Sequence, residues 1–119
     1  MRRPTFSLFA ISTAALLAPL VSHATDTSKA DVKTNFTLTL KNHVYTPATI
    51  TIPANTKVVL HVKNLDDTAE EFESEKLNRE KVIPAGQELA LPVGPLEAGS
   101  YPFIGDYHED TAHGEIIVK

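Results

Sequence analysis

The sequence of 119 residues contains no cysteine, and its only methionine is Met1. The absence of thiols excludes disulfide bonds, iron–sulfur clusters, cysteine nucleophiles and copper centres with a thiolate ligand. A lipid attached to cysteine is excluded for the same reason. Any metal ion that the folded part of the chain binds must therefore be held by nitrogen and oxygen atoms.

Basic residues are few, because eleven Lys and Arg stand against fifteen Asp and Glu, giving a net charge of −4. Two of the eleven, Arg2 and Arg3, precede an uncharged and mostly apolar run over residues 6–21. That run is shorter than the roughly 20 apolar residues of a membrane span, and the small-residue sequence Ser22-His23-Ala24 follows it. We therefore predict a signal peptide over residues 1–24 and export to the periplasm, with a retained membrane anchor as the alternative.

Hydrophobic residues make up 42% of the chain and charged residues 22%, which is typical of a globular protein rather than a disordered one. We predict a polar, flexible lead-in over residues 25–33 and one domain over residues 34–119. Loss of the two N-terminal arginines would make the protein more acidic still. Such a protein lacks the basic face with which nucleic acids and anionic membranes are bound, and after cleavage we expect no membrane span.

Apolar residues alternate with other residues in short runs along the predicted domain. Alternation of this kind predicts strands with one buried face, and the Pro, Gly and Asn residues between the runs predict turns. About seven short strands, without helical periodicity, predict an all-β protein, an antiparallel β-sandwich of Greek-key type. The clearest runs cover residues 36–40, 49–52, 58–63, 89–93 and 115–118.

Two segments carry more ionisable side chains than ordinary turns do. Residues 66–75 include six acidic side chains, and residues 105–113 include the last two histidines of the chain. Clustered like charges repel one another, so such segments indicate a compensating cation. A solvated acidic loop is the alternative interpretation of the first segment.

The second segment resembles the metal loop of cupredoxins. Residues 101–108 match the Tyr-x-Phe-x strand that leads into this loop, and residues 46–57 and 83–87 also match cupredoxin-like sequences. In that family the loop supplies a cysteine, a histidine and a methionine to a copper ion. The resemblance places these positions on Gly105, His108 and His113, and it places the family's remaining histidine near Glu70.

The resemblance thus implies a cupredoxin-like Greek-key β-sandwich whose metal site lacks the thiolate. Its candidate ligands are the imidazoles and carboxylates of the two polar segments, and the ion would be copper or iron, without a blue-copper centre. Glu70 should lie on the same face of its strand as the inward Phe72, and Glu73 takes its place only if the register slips. The candidate metal ligands are His108, His113, Asp106, Glu70 and Glu73.

The two other histidines of the predicted domain are interpreted as structural. His61 alternates with core residues and should face outward, and His43 lies in a turn before Tyr45. Neither is expected to bind a metal ion.

The pattern is similar to cysteine-less, cupredoxin-like periplasmic proteins found with bacterial ferrous-iron uptake systems that are built around an oxidase-dependent permease. This resemblance implies a role in periplasmic iron oxidation or transfer, with a periplasmic iron-binding protein and an inner-membrane iron permease as partners. The alternative is a non-metal β-sandwich interaction module with an acidic end. A hydrolase is not expected, because no serine lies in a nucleophile-elbow context and the carboxylates cluster without a substrate cleft.

Overall fold

Nine strands in two sheets make up the computed structural model, which describes Pro19 and residues 32–119. The predicted signal peptide, apart from Pro19, and residues 25–31 of the predicted lead-in lie outside the described residues. Among the described residues, no helix has the length and the apolar character needed to cross a membrane. The strands are β1 Asn35–Lys41, β2 Val44–Thr46, β3 Thr49–Ile52, β4 Val58–Asn64, β5 Glu70–Ser74, β6 Arg79–Ile83, β7 Glu88–Val93, β8 Gly99–Gly105 and β9 His113–Val118.

The strands are ordered β2-β1-β4-β7 in one sheet and β3-β9-β8-β5-β6 in the other. The prediction of an all-β sandwich is confirmed, but the sheets are mixed rather than wholly antiparallel. Strand β1 pairs with β4 in parallel, and β3 pairs with β9 in parallel. These pairings arise because the chain crosses to the opposite sheet between the two strands of each pair.

The structure has nine strands where the sequence predicted about seven. Strand β2 has only three residues, too few to show a period of two. Strand β6 lies at the edge of its sheet and exposes its first four residues, so no alternation marks it. Short or exposed edge strands are a common way to limit pairing with other chains.

The core lies between the two sheets and is built from the inward residues of the alternating runs. Strand β1 buries Phe36, Leu38 and Leu40, as the alternation predicted. Beneath one end of the sandwich, the rings of Phe72 and Phe103 stack with centroids 5.3 Å apart. The ring of Tyr45 meets both of them edge-on, a favourable arrangement for aromatic pairs.

Three connections meet at this end of the sandwich, which we call the site pole. They are the β1–β2 turn at residues 42–43, the β4–β5 loop at residues 65–69 and residues 106–112 between β8 and β9. The third connection begins with a short 3₁₀ turn, Asp106–His108. Hydrogen bonds to the carboxylates of Asp66 and Glu70 join the three connections, so residues far apart in the sequence become neighbours.

Candidate metal site

A buried carboxylate lies at the centre of the site pole. Glu70 begins β5, and its side chain is 1% exposed. Its Oε1 accepts hydrogen bonds from the backbone N–H of Tyr107 at 2.9 Å and from the N–H of Glu71 at 3.1 Å. Its Oε2 lies 2.6 Å from Nδ1 of His108. A buried carboxylate is costly without such partners, so the surrounding backbone is built to hold this one.

Gly105 makes room for that carboxylate. A Cβ atom added at Gly105 would lie 2.6 Å from Cδ of Glu70 and 2.7 Å from Cβ of Ala112. Strands β5 and β8 are paired here, with Phe72 opposite Gly105. The sequence resemblance assigns the family's cysteine to this position. Glycine there therefore does more than remove a sulfur ligand, because its missing side chain leaves space for Glu70.

The ring of His108 is stacked on a second imidazole, that of His43. The ring centroids are 3.5 Å apart and the ring planes differ by 12°. His43 reaches this position from the β1–β2 turn, in which Asn42 and His43 both have positive φ, 52° and 59°. Two such residues in a two-residue hairpin turn are typical of type I′ turns, where the second position is usually glycine. Histidine is therefore an unusual choice at this position.

Asp66, in the β4–β5 loop, holds this turn. Its Oδ1 accepts the N–H of Asn42 at 2.6 Å, and its Oδ2 accepts the N–H of His43 at 2.9 Å. Partial burial acts to raise the pKa of Asp66, but the two backbone N–H groups and the nearby imidazoles outweigh it. The pKa of this carboxyl therefore lies below its ordinary value, and the group is ionised at neutral pH.

His43, Glu70 and His108 form a group whose ligand atoms lie within 4.8 Å of one another. Among the described residues, Nδ1 of His43 and the hydroxyl of Tyr45 are buried without a hydrogen-bond partner. Burial, with the charge of Glu70 adding to it, raises the pKa of the Tyr45 phenol far above its usual range. Two imidazoles, one of them with an unpartnered buried nitrogen, and one carboxylate are a donor set that fits a transition-metal ion.

A second acidic group lies on the opposite, outer face of β5. Carboxylate oxygens of Glu71, Glu73 and Asp106 lie within 4.8 Å of one another. A hydrogen bond with Glu80, followed by partial burial, raises the pKa of Glu71. Partial burial, followed by the charges of Asp106 and Glu71, raises the pKa of Glu73. The surroundings therefore disfavour the ionised forms of Glu71 and Glu73.

The residues predicted as ligands are divided between these two groups and a third position. Glu70 and His108 lie together in the first group, and Glu73 and Asp106 lie together in the second. His113 begins β9 opposite Ile104, is exposed, and belongs to neither group. The sequence left Glu73 as a substitute for Glu70 if the register of this strand slipped. The burial pattern of β5 shows that Glu70 faces inward and Glu73 faces outward.

His43 was interpreted as structural from the sequence, yet the structure brings it into the first group. A signal for its position was present in the sequence. The pair Asn42-His43 separates the alternating β1 run from Val44 and Tyr45, at a place where Asn-Gly would mark an ordinary hairpin. A histidine at that place indicates a reason other than turn geometry.

Comparison with known proteins agrees with this architecture. The family model described as the cupredoxin-like domain matches residues 9–118. The chain belongs to the cupredoxin-like family. A relative in sequence is an uncharacterized protein of Rickettsia prowazekii (strain Madrid E), 43% identical over 82 residues. That match covers 69% of this chain and 66% of the relative, slightly less than two thirds of its length.

Solved structures show the same cupredoxin-like fold at low sequence identity. The metal-binding domain of a Cu(I)-exporting P-type ATPase of Streptococcus pneumoniae has a TM-score of 0.64 and 16% identity, covering 71% of this chain and 84% of that one. Auracyanin of Roseiflexus castenholzii has a TM-score of 0.61 and 13% identity, covering 74% and 98%. Amicyanin of Paracoccus versutus has a TM-score of 0.56 and 20% identity, covering 76% and 83%.

Proposed function

We propose that this cupredoxin-like protein binds a transition-metal ion, copper or iron, through His43, Glu70 and His108. The observation that carries the proposal is the convergence of two imidazoles, from two separate connections, on a buried carboxylate at the start of β5, with ligand atoms within 4.8 Å. Nδ1 of His108 and Oε2 of Glu70 are 2.6 Å apart, close enough for both to bind one ion with bonds of about 2 Å. The S. pneumoniae relative was solved with Cu(I), which supports a metal-binding role for the fold.

The donor set favours Cu²⁺ among divalent ions. Among the divalent first-row metal ions, Cu²⁺ is bound most tightly by sites with nitrogen and oxygen ligands. Imidazole and carboxylate ligands also suit the tetragonal geometry of Cu²⁺. Cu⁺ prefers soft sulfur ligands, and the described residues contain no sulfur. The site therefore differs from a blue-copper centre in both ligand type and preferred oxidation state.

The role in iron handling rests on the resemblance to cysteine-less proteins of ferrous-iron uptake systems. Carboxylate ligands favour Fe³⁺ over Fe²⁺, because the anionic oxygen interacts more strongly with the higher charge. Glu70 supplies one such ligand. We propose periplasmic iron oxidation or transfer, after export directed by residues 1–24, with a periplasmic iron-binding protein and an inner-membrane iron permease as partners.

Calorimetric titration of the protein with Cu²⁺, and anaerobically with Fe²⁺, tests metal binding. We expect saturable binding of one ion, weakened at least about tenfold in His43→Ala and in His108→Ala, because each variant removes one of three ligands. His61→Ala is the matched control, since His61 bonds to Glu88 and Asn35 on the outer face of the other sheet. Equal, weak binding by all four proteins would contradict the proposal and favour an interaction module with an acidic end.

A further inference from the structure

We infer that Asp66 is a positioning residue of the metal site, which sets the place and orientation of His43. The inference rests on the function proposed above, and it adds a residue from outside the candidate ligand set. Asp66 does not belong to the group of His43, Glu70 and His108. It acts on the ion through His43, not by binding the ion itself.

His43 must adopt an unfavourable backbone conformation. Its φ of 59° lies in the left-handed region, which is costly for a residue with a side chain. Glycine would avoid this cost and is usual at the second position of such a turn. The two hydrogen bonds from Asn42 and His43 to the Asp66 carboxylate offset it, since bonds to a charged group are among the stronger ones.

Asp66 also lies against the ring of His43. Nδ1 of His43 is buried and lies 3.4 Å from Oδ2 of Asp66, without a hydrogen bond. The same carboxylate oxygen accepts the backbone N–H of His43. Asp66 thus contacts both the backbone and the ring of His43. The other ring of the stacked pair, that of His108, is held by its contact with Glu70.

Asp66 is itself held in place by its neighbours. Its side chain is 9% exposed, and its N–H donates to Oδ1 of Asn64 at 3.0 Å. Asn64 is buried, and its Nδ2 donates to the carbonyl oxygens of Thr68 and Ile83. A chain of hydrogen bonds therefore runs from the end of β4 through Asp66 to the turn that carries His43. Such outer partners of metal-binding histidines are worth about ten- to a hundredfold in affinity.

The test compares Asp66→Asn with Asp67→Asn, which removes the same charge at the next, exposed residue. Well below the unfolding temperature, we expect Asp66→Asn to weaken Cu²⁺ binding about ten- to a hundredfold and Asp67→Asn to leave it unchanged. In a His43→Gly background, whose Asn-Gly turn folds without help, Asp66→Asn should have no further effect. Unchanged Cu²⁺ affinity in Asp66→Asn would overturn the inference. So would a loss of about ten- to a hundredfold in Cu²⁺ affinity when Asp66→Asn is added to the His43→Gly background.

A metal-free measurement separates this inference from the proposed function. In NMR spectra, Asp66→Asn should shift the ring protons of His108 in the same direction as His43→Gly does, because both disturb the stacked pair. Asp67→Asn should leave these resonances in place. If the wild-type protein binds neither Cu²⁺ nor Fe²⁺ but these shifts occur, the proposed function fails, while the role of Asp66 in placing His43 stands. If Asp66→Asn leaves the His108 resonances unchanged, the positioning role itself is refuted.

Discussion

The imidazole rings of His43 and His108 lie face to face, 3.5 Å apart between centroids, although 65 positions separate them in the sequence. One ring comes from a hairpin turn and the other from the 3₁₀ turn after β8. Both are partly exposed, with 37% and 30% of their side-chain surfaces accessible. The stacked pair is therefore partly open to solvent at the site pole, next to the buried carboxylate of Glu70.

Replacement of His43 by glycine should stabilise the fold and weaken metal binding at the same time. Glycine adopts positive φ without strain, so we expect the free energy of unfolding to rise by about 1 kcal/mol. Urea unfolding measures the stability, and calorimetry measures Cu²⁺ affinity. Asn55→Gly is the control, because Asn55 also has positive φ, 53°, but lies in the β3–β4 turn. Equal Cu²⁺ affinity in His43→Gly and wild type would contradict the role of the ring.

Replacement of Gly105 by alanine should disturb Glu70. The added Cβ would overlap Glu70 and Ala112, and overpacking of this kind costs about 1–3 kcal/mol. We expect lower stability in urea unfolding and weaker Cu²⁺ binding, because the carboxylate must move. Gly86→Ala is the control for Cu²⁺ affinity: its φ of 69° strains an alanine, so stability should fall there too, but no atom lies within 4 Å of the added Cβ and the affinity should stay unchanged. If Gly105→Ala keeps wild-type stability and affinity, the site does not depend on that space.

Replacement of Glu73 by glutamine should raise the melting temperature at pH 7. The raised pKa of Glu73 means that the folded state disfavours its charge, so this group lowers stability above its folded pKa. As the pH falls below that pKa, Glu73 becomes protonated and the advantage of the variant should vanish. Thermal melts between pH 7 and pH 3 measure this trend, and Glu97→Gln, before β8, is the control. An advantage that grows in acid would contradict the conclusion that the folded state disfavours the charge of Glu73.

Most of the fold could be predicted because strands with one buried face show apolar residues at every second position of the sequence. The same alternation predicted that Glu70 lies inward with Phe72, which the burial of β5 confirms. Strand β2 was not predicted because it is too short to show the alternation, and strand β6 was not predicted because it has no buried face. Parallel pairing of β1 with β4 depends on crossovers between sheets and leaves no local pattern.

The candidate site was harder to predict, since it depends on which connections meet. His108 was found through resemblance to a known loop, whereas His43 lies on a hairpin with no matching motif. Its proximity to His108 follows from the hydrogen bonds of Asp66, which join residues more than twenty positions apart. His113 was assigned from the family's loop spacing, but the 3₁₀ turn and the following residues place it at the start of β9, on an exposed face.

Electron paramagnetic resonance of the Cu²⁺-loaded protein tests the central claim most directly, because histidine nitrogens bound to copper produce resolvable couplings. We predict coupling to two imidazole nitrogens in the wild type and in His113→Ala, and to one in His43→Ala and in His108→Ala. A spectrum that loses a nitrogen coupling in His113→Ala, and keeps both couplings in His43→Ala, would contradict the account.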